Sequence, residues 1–407
     1  MSDYDVLIVG AGMVGLTMAK LLTEQQLSVV VFDRQAPPES PSADDLLRVS
    51  AISRASENIL QQLDCWNETL LTRARAYEHM RVWDDIGAGE IVFDAADIGQ
   101  ANLGHIIPNV DIQRTLWQEL ENEPRATLIT AVELANASWH EDYVQLTLGS
   151  GSQYQARLAI AADGAHSWLR AQAGIAIQSK TYDHTALVAT INTAKKHGNC
   201  ARQVFLETGP LAFLPTHDAK QCSIVWSTNQ THAASLMAMS NEQFDSALQT
   251  AFGDEQLGQL TCHSKRLSFP LVARHAEHYI KPRLALIGDA AHTIHPLAGQ
   301  GANIGILDAA ALAETIAHRQ SSQSDCYSLA SLRPYERWRR SENQLMLDTM
   351  RGFRELFSGP QSIKSLVRSF GMSQLNRLPM LKQPLIETAM GLRGDLPKIA
   401  RTPVPEI

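Results

Sequence analysis

In the stretch GDAAHTIHPLAGQG, residues 288–301, one carboxylate (Asp289) and two imidazoles (His292 and His295) stand among three glycines and a proline. Three chemistries suit such a set. Histidines three apart can ligate a metal, an imidazole can move a proton near neutral pH, and a glycine-rich loop that opens a helix can offer backbone amides to a cofactor. The metal reading is the weakest, because no further Cys or His cluster accompanies the three residues and the glycines already have a use. His292 is expected to fix the loop by hydrogen bonds. For His295, beside Pro296, two roles stay open: relaying a proton, or packing near a bound ring. The apolar run RLALI precedes the stretch and the helix-like ANIGILDAAALAETIA follows it. Asp289 is therefore expected at a strand end, and Gly299, Gly301, Ala302 and Asn303 at a helix start.

Two further stretches have the same strand, loop and helix grammar. In DVLIVGAGMVGLTMAKLLTEQQ, Gly10, Gly12 and Gly15 lie between a short buried-type strand and a helix. Gly10 makes the tight turn, Gly12 lets the backbone approach a pyrophosphate, and Gly15 lets the helix pack close to the sheet. A second apolar run, LSVVVFD, ends at Asp33, where a carboxylate can bind a ribose hydroxyl. In RLAIAADGAHSWLR a third strand delivers Asp163 and Gly164, with Ser167 and Arg170 opening a helix. The first stretch alone fits any dinucleotide. Three such sites on separate strands suit a long cofactor that crosses the sheet, whereas a nicotinamide cofactor needs only the first.

Composition narrows the class. The chain has 407 residues, 44% of them hydrophobic, enough for two domains with a substantial core. The net charge of −8 argues against a nucleic-acid binder. Charge is uneven: from Arg333 onward 13 Lys or Arg face 7 Asp or Glu, so this segment is +6 and the first 332 residues are −14. A basic end on an acidic body fits an anionic membrane surface or an acidic protein, or else a solvated helical face. Five scattered cysteines with no C-x-x-C pair suggest a reduced, cytoplasmic protein. The first residues lack the pattern of a signal peptide, and no apolar run reaches the length of a membrane span, so any membrane contact is expected to be peripheral.

The expected fold is α/β: a discontinuous doubly wound nucleotide domain, an antiparallel β-sheet substrate domain and a helical C-terminal region. The nucleotide domain is assigned to residues 1–79, 96–179 and 276–332, and the substrate domain to 80–95 and 180–275. The latter holds the short strand-like runs MRVWDD, EIVFDA, TALVATINT, RQVFLET, LAFLP and CSIVWSTN. Residues 333–407 read as helical, with Met346, Met350, Phe353 and Phe357 on one face and Ile363, Leu366, Val367 and Phe370 on another.

Together the three motifs resemble those of the aromatic-ring hydroxylases, the single-component flavoprotein monooxygenases of the p-hydroxybenzoate hydroxylase type. GDAAHTIHPLAGQG with His295-Pro296 is similar to the ubiquinone-biosynthesis branch, as are LRVSAI, LGHI, HTALVATI, ARQVF, LAFLP, CSIVWS, GFRELFSG and AMGL. The likeness covers residues 5 to about 397 and extends to the bacterial enzymes that hydroxylate 2-polyprenylphenol. It implies non-covalent FAD, NAD(P)H as reductant, O2 as oxygen source, and hydroxylation ortho to a phenol at the carbon that becomes ring position 5. Gly10, Gly12, Gly15 and Asp33 would hold the ADP half, Arg48 would lie over the flavin or pyrophosphate, and Gln113 or Arg114 would touch ribose or pyrophosphate. Asp163 and Gly164 would serve both nucleotides, Asp289 the ribityl chain, and Pro296 with the 299–303 amides the flavin ring. His295 stands where p-hydroxybenzoate hydroxylase has proline, so that enzyme's hydrogen-bond network does not transfer. Phe213 and Trp226 are candidates for a substrate wall, against the alternative of ordinary sheet core. Partners implied are a polyprenylphenol, other proteins of the pathway and an anionic membrane surface; homo-oligomerisation stays open. The rival functions are a different ring position, another apolar aromatic, or a non-catalytic flavin-binding scaffold.

Overall fold

The structure is a computed structural model that describes residues 3–37, 39–85, 89–293, 301–320, 325–357, 383–384, 386–387 and 390–401. His295, Pro296 and Gly299, and the apolar stretch from Ile363 to Phe370, lie outside the described residues.

The apolar run Val6–Val9 is buried on both faces, which suits the interior of a parallel sheet. Its strand, Tyr4–Val9, lies between Val29–Phe32 and Gln153–Ala161; Ala126–Ile129 and Leu284–Leu286 continue the parallel array on either side. The helices Met13–Glu24, Asn109–Glu121 and Gly301–Gln320 pack on one another against this base. Three nucleotide-type loops thus leave strand ends of one sheet, although residues 9, 161 and 286 are far apart in sequence.

A second sheet forms a roof. Its order is His292–Thr293, Leu267–Ala276, Ile177–Thr193, Gln221–Asn229, Gly209–Pro215, Cys200–Leu206, His79–Asp84, Glu90–Asp94. It is antiparallel except where Cys200–Leu206 runs parallel to His79–Asp84. The roof ribbon starts at Ile177, inside the segment assigned by sequence to the base, and the stretch at 292–293 joins the roof edge. Its register against Leu267–Ala276 shifts between Thr181 and His184, where Asp183 has a φ of 52°. Two helices, Gln230–Ala238 and Asn241–Phe252, are absent from the sequence reading; they pack Leu236, Phe244, Leu248 and Phe252 onto one roof face. Also unforeseen is a small sheet of Val49–Ile52, Gly104–Pro108 and Arg75–Tyr77.

The C-terminal helix spans Leu329–Phe357, so it starts before Pro334 and carries that proline inside. Its buried residues Leu332 and Tyr335 belong to the base core, and the Tyr335 hydroxyl donates to Leu286 O at 2.7 Å. The segment therefore packs on the nucleotide fold through its first turns.

Candidate active site

Val9 ends its strand and the chain turns at Gly10, whose φ of +109° suits glycine. A Cβ there would lie 2.3 Å from Ala162 O, and one at Gly15 would lie 2.0 Å from Gly10 O. Both positions are closed by backbone. Gly12 is the opposite case, with ordinary extended backbone and nothing within 4 Å of a built Cβ. It caps the helix Met13–Glu24 without a side-chain hydrogen bond, and no acid occupies the first turn. The N–H groups at this end are left for an anion, with the helix dipole favouring it.

The side chains expected to touch the nucleotide first hold this loop. Asp33 Oδ2 accepts from Ala11 N at 2.6 Å, and Gln113 Nε2 donates to Ala11 O at 2.7 Å. The peptide between Gly10 and Gly12 is clamped from both sides. Asp33 Oδ1 accepts from Gln35 N at 3.0 Å.

The second loop is built likewise. Asp163 Oδ2 accepts from Leu169 N at 3.1 Å, while its other oxygen is buried with no partner among the described residues. Burial pushes this carboxyl above the usual range, against the hydrogen bonds from Ser167 and Leu169. Gly164 has a φ of +81° and open space where a Cβ would stand. Arg170, buried, donates to Ala165 O at 3.1 Å and to Ala290 O at 2.8 Å. One guanidinium ties the 163 loop to the 289 loop.

At the third loop Asp289 is exposed to the cavity yet closely surrounded by protein, and this enclosure raises its carboxyl, opposed by His292 and Arg274. His292 has the structural role that the sequence suggests. Its Nε2 donates to Asp308 Oδ2 at 2.5 Å, and the same oxygen accepts from Gly288 N at 3.1 Å. Asp308 Oδ1 accepts from Arg339 Nε at 2.8 Å and from Asn343 at 3.3 Å. Burial opposes ionisation of Asp308, but His292 and Arg339 outweigh it and lower the carboxyl to about 2. This buried set was missed by sequence reading; its one signal is a lone acid in the apolar helix ILDAAALA. Asn303 is buried and its side chain is engaged, accepting from Ser53 N at 2.9 Å and donating to Ala51 O at 2.8 Å. It ties the helix start to the small sheet. Gly301 and Ala302, at the same helix start, line the cavity.

The three loops and the roof enclose one cavity of about 740 Å³. Gly12, Gly164, Asp289, Gly301 and Arg48 are on its wall, so these sequence candidates come together. Arg48 stacks its guanidinium 4.3 Å above the Phe269 ring of the roof. The roof lining is mostly small and apolar, with Ala186, Val188, Ala212, Leu214 and Val225, and is interrupted by the polar Gln203, Ser223 and Ser227. Phe213 and Trp226 are not there. Strand alternation turns them to the other face, where Phe213 packs 4.3 Å from Phe252 and Trp226 packs with Phe244. Both belong to the sheet core, and the cavity wall is made by their neighbours. Among the described residues no group of three His, Cys, Asp or Glu is placed to hold a metal.

The donor set fits FAD. Gly12 borders open space that a larger side chain would fill, the adjacent helix end is uncapped, and Asp289 on the cavity wall offers an acceptor for a hydroxyl-rich chain. The chain matches the family model "FAD binding domain" over residues 3–348. It is 34% identical to the 3-demethoxyubiquinol 3-hydroxylase of Escherichia coli (strain K12), over 95% of this chain and 98% of that one. It is 35% identical to the ubiquinone hydroxylase UbiL of Rhodospirillum rubrum, over 98% and 92%. Its fold is that of p-nitrophenol 4-monooxygenase PnpA from Pseudomonas putida DLL-E4, with a TM-score of 0.78 at 18% identity, covering 96% and 98% of the two chains. The protein is thus a FAD-dependent monooxygenase, a member of the FAD-binding domain family and, within it, of the ubiquinone-biosynthesis hydroxylases.

Proposed function

We propose that the protein hydroxylates a 2-polyprenylphenol ortho to its phenolic oxygen, at the carbon that becomes ring carbon 5 of ubiquinone, with NAD(P)H as reductant and O2 as oxygen source. The observation that carries this reading is the cavity: a dinucleotide cradle closed by a roof whose lining is mostly small and apolar, open enough for a flat ring. Bound FAD supplies the redox and oxygen-transfer chemistry. The chain itself fixes the loops through Ala11, Arg170 and Asp308, packs Val188 and Val225 toward the ring, and keeps water from the reacting carbon. His295 is proposed to hold the phenolic proton, directly or through one water. Peripheral docking on anionic lipid, through the basic segment after residue 332, belongs to the same proposal.

A second reading has its own support. The E. coli relative is named for hydroxylating demethoxyubiquinol at ring position 3, and a later, more oxygenated ring would fit the same roof. Quinone intermediates in a deletion strain separate the two. Loss of the first activity accumulates a polyprenylphenol without the new oxygen; loss of the second accumulates a demethoxyquinol. Supplying 18-O2 to the complemented strain should place label at the corresponding ring carbon. If no label enters any prenylated ring, both readings fail.

A further inference from the structure

We propose that the outer face of the roof carries a second binding site, for a phosphate-bearing anion held by Arg202, Arg81 and Lys196; it is independent of the prenylphenol reading. The roof strands Cys200–Leu206 and His79–Asp84 run parallel, and their register sets Arg202 directly beside Arg81. Strand alternation puts Arg202 on the face that Val204 and Phe213 share with the covering helices, away from the cavity. Both arginines line a separate pocket of about 500 Å³, together with Lys196, His79, His197 and Gln256. No acidic side chain among the described residues is on its wall.

Like charges side by side on neighbouring strands repel, and one of this pair is unanswered. Arg81 is balanced, since its Nε donates to Glu90 Oε1 at 2.5 Å and its Nη1 to Asp254 Oδ2 at 2.8 Å. Arg202 is only 6% exposed and has neutral partners. Its Nη1 donates to His197 O and Cys200 O, each at 2.9 Å, and its Nη2 to Gln256 Oε1 at 3.4 Å. Its Nε is buried with no partner, and no carboxylate among the described residues pairs with it. Asp94 is engaged elsewhere, 3.2 Å from His79. A guanidinium does not shed its proton, so the fold buries a cation without a counter-charge, a costly arrangement. An anion in the pocket answers it. Lys196, exposed on the same wall, forms no ion pair among the described residues. His197 adds no charge: its Nε2 donates to Thr216 O and Asp218 O at 3.1 Å, and its Nδ1 accepts from Asn199 N at 3.0 Å. This set of cations selects the ligand. A lone carboxylate answers one guanidinium, whereas a phosphate has oxygens for a guanidinium fork and charge left for an ammonium.

The test titrates the FAD-loaded protein, its nucleotide cradle filled, with inorganic phosphate at fixed ionic strength, read by calorimetry and by the phosphate dependence of the melting temperature. Wild type should bind phosphate and ignore acetate. Lys196→Gln should raise the dissociation constant about ten-fold, the size of one charge-assisted contact, and Arg202→Gln should abolish binding. Flavin absorbance shows whether each variant is folded; if Arg202→Gln is not, Lys196→Gln decides alone. Wild type without a phosphate response, or Lys196→Gln with wild-type affinity, overturns the site. Vesicles of phosphatidylcholine with phosphatidic acid separate the two sources of such a group. Vesicles that displace free phosphate from wild type identify a lipid headgroup; phosphate binding that is indifferent to them identifies a soluble phosphorylated metabolite.

Discussion

The three glycines of the first loop have different duties. Gly15 and Gly10 are closed by backbone, whereas Gly12 borders open space. Gly15→Ala should therefore lower the melting temperature of the FAD-free protein, since 2.0 Å from a carbonyl oxygen is far inside contact distance. Gly12→Ala should leave that temperature within about 2 °C and weaken FAD binding instead. Differential scanning fluorimetry with and without FAD checks both halves. At His295 the expected result of His295→Asn is retained FAD, near-normal NAD(P)H consumption, and less hydroxylated product with more hydrogen peroxide released. Full coupling across neutral pH in that variant would remove the relay. Glycine positions are legible in a sequence because backbone geometry tolerates few substitutes. The face on which Phe213 lies is not: with apolar residues on both sides of a buried strand, alternation gives no direction, and two covering helices decide it.

At the scale of elements, the buried Asp308 joins the helix Gly301–Gln320 to the 289 loop and to the C-terminal helix. Arg339→Leu removes one partner and leaves a buried carboxylate half-paired, so a loss of about 3–5 kcal/mol in unfolding free energy is expected, measurable by urea denaturation. Acid acts on the same joint in two windows. The imidazole of His275, hydrogen-bonded to Tyr279 at 2.8 Å, is lowered to about 4 by burial, with His292 and Arg340 adding to it. Its folded value is below the unfolded value of about 6.5, so its contribution is full above that pH and is lost as pH falls toward 4. The Asp308 contribution is full above about pH 4 and is lost as pH falls toward 2. Stability measured from pH 7 to 4.5 should decline, and His275→Gln should flatten the decline; an unchanged slope would refute the assignment. The strands of base and roof were legible as apolar runs between turn residues. The small sheet was not, because Arg75–Tyr77 and Val49–Ile52 are too short to show a period. The helix Asn241–Phe252 did leave a signal, the Ser240–Gln243 capping box ahead of Phe244, Leu248 and Phe252.

For the whole molecule, the division of charge sets the expected behaviour at a lipid surface. No helix among the described residues is long and apolar enough to cross a membrane. If the +6 segment docks on anionic lipid, co-sedimentation with phosphatidylglycerol vesicles should fall as salt rises from 50 to about 300 mM. Retention that ignores salt, or none at all, would exclude electrostatic docking. The order of strands in the base has a consequence in time. Its Tyr4–Val9 strand is flanked by Gln153–Ala161, and that strand by Leu284–Leu286. At roughly 5–20 residues per second, a ribosome needs about 15–60 s between delivering the first of these and the last. For that interval the run VLIV has no complete sheet to enter, and the newborn chain depends on chaperones to keep it from its neighbours. A message that ends before codon 284 therefore yields an unfinished sheet with an adhesive edge, a burden on the cell's quality control and not a smaller enzyme.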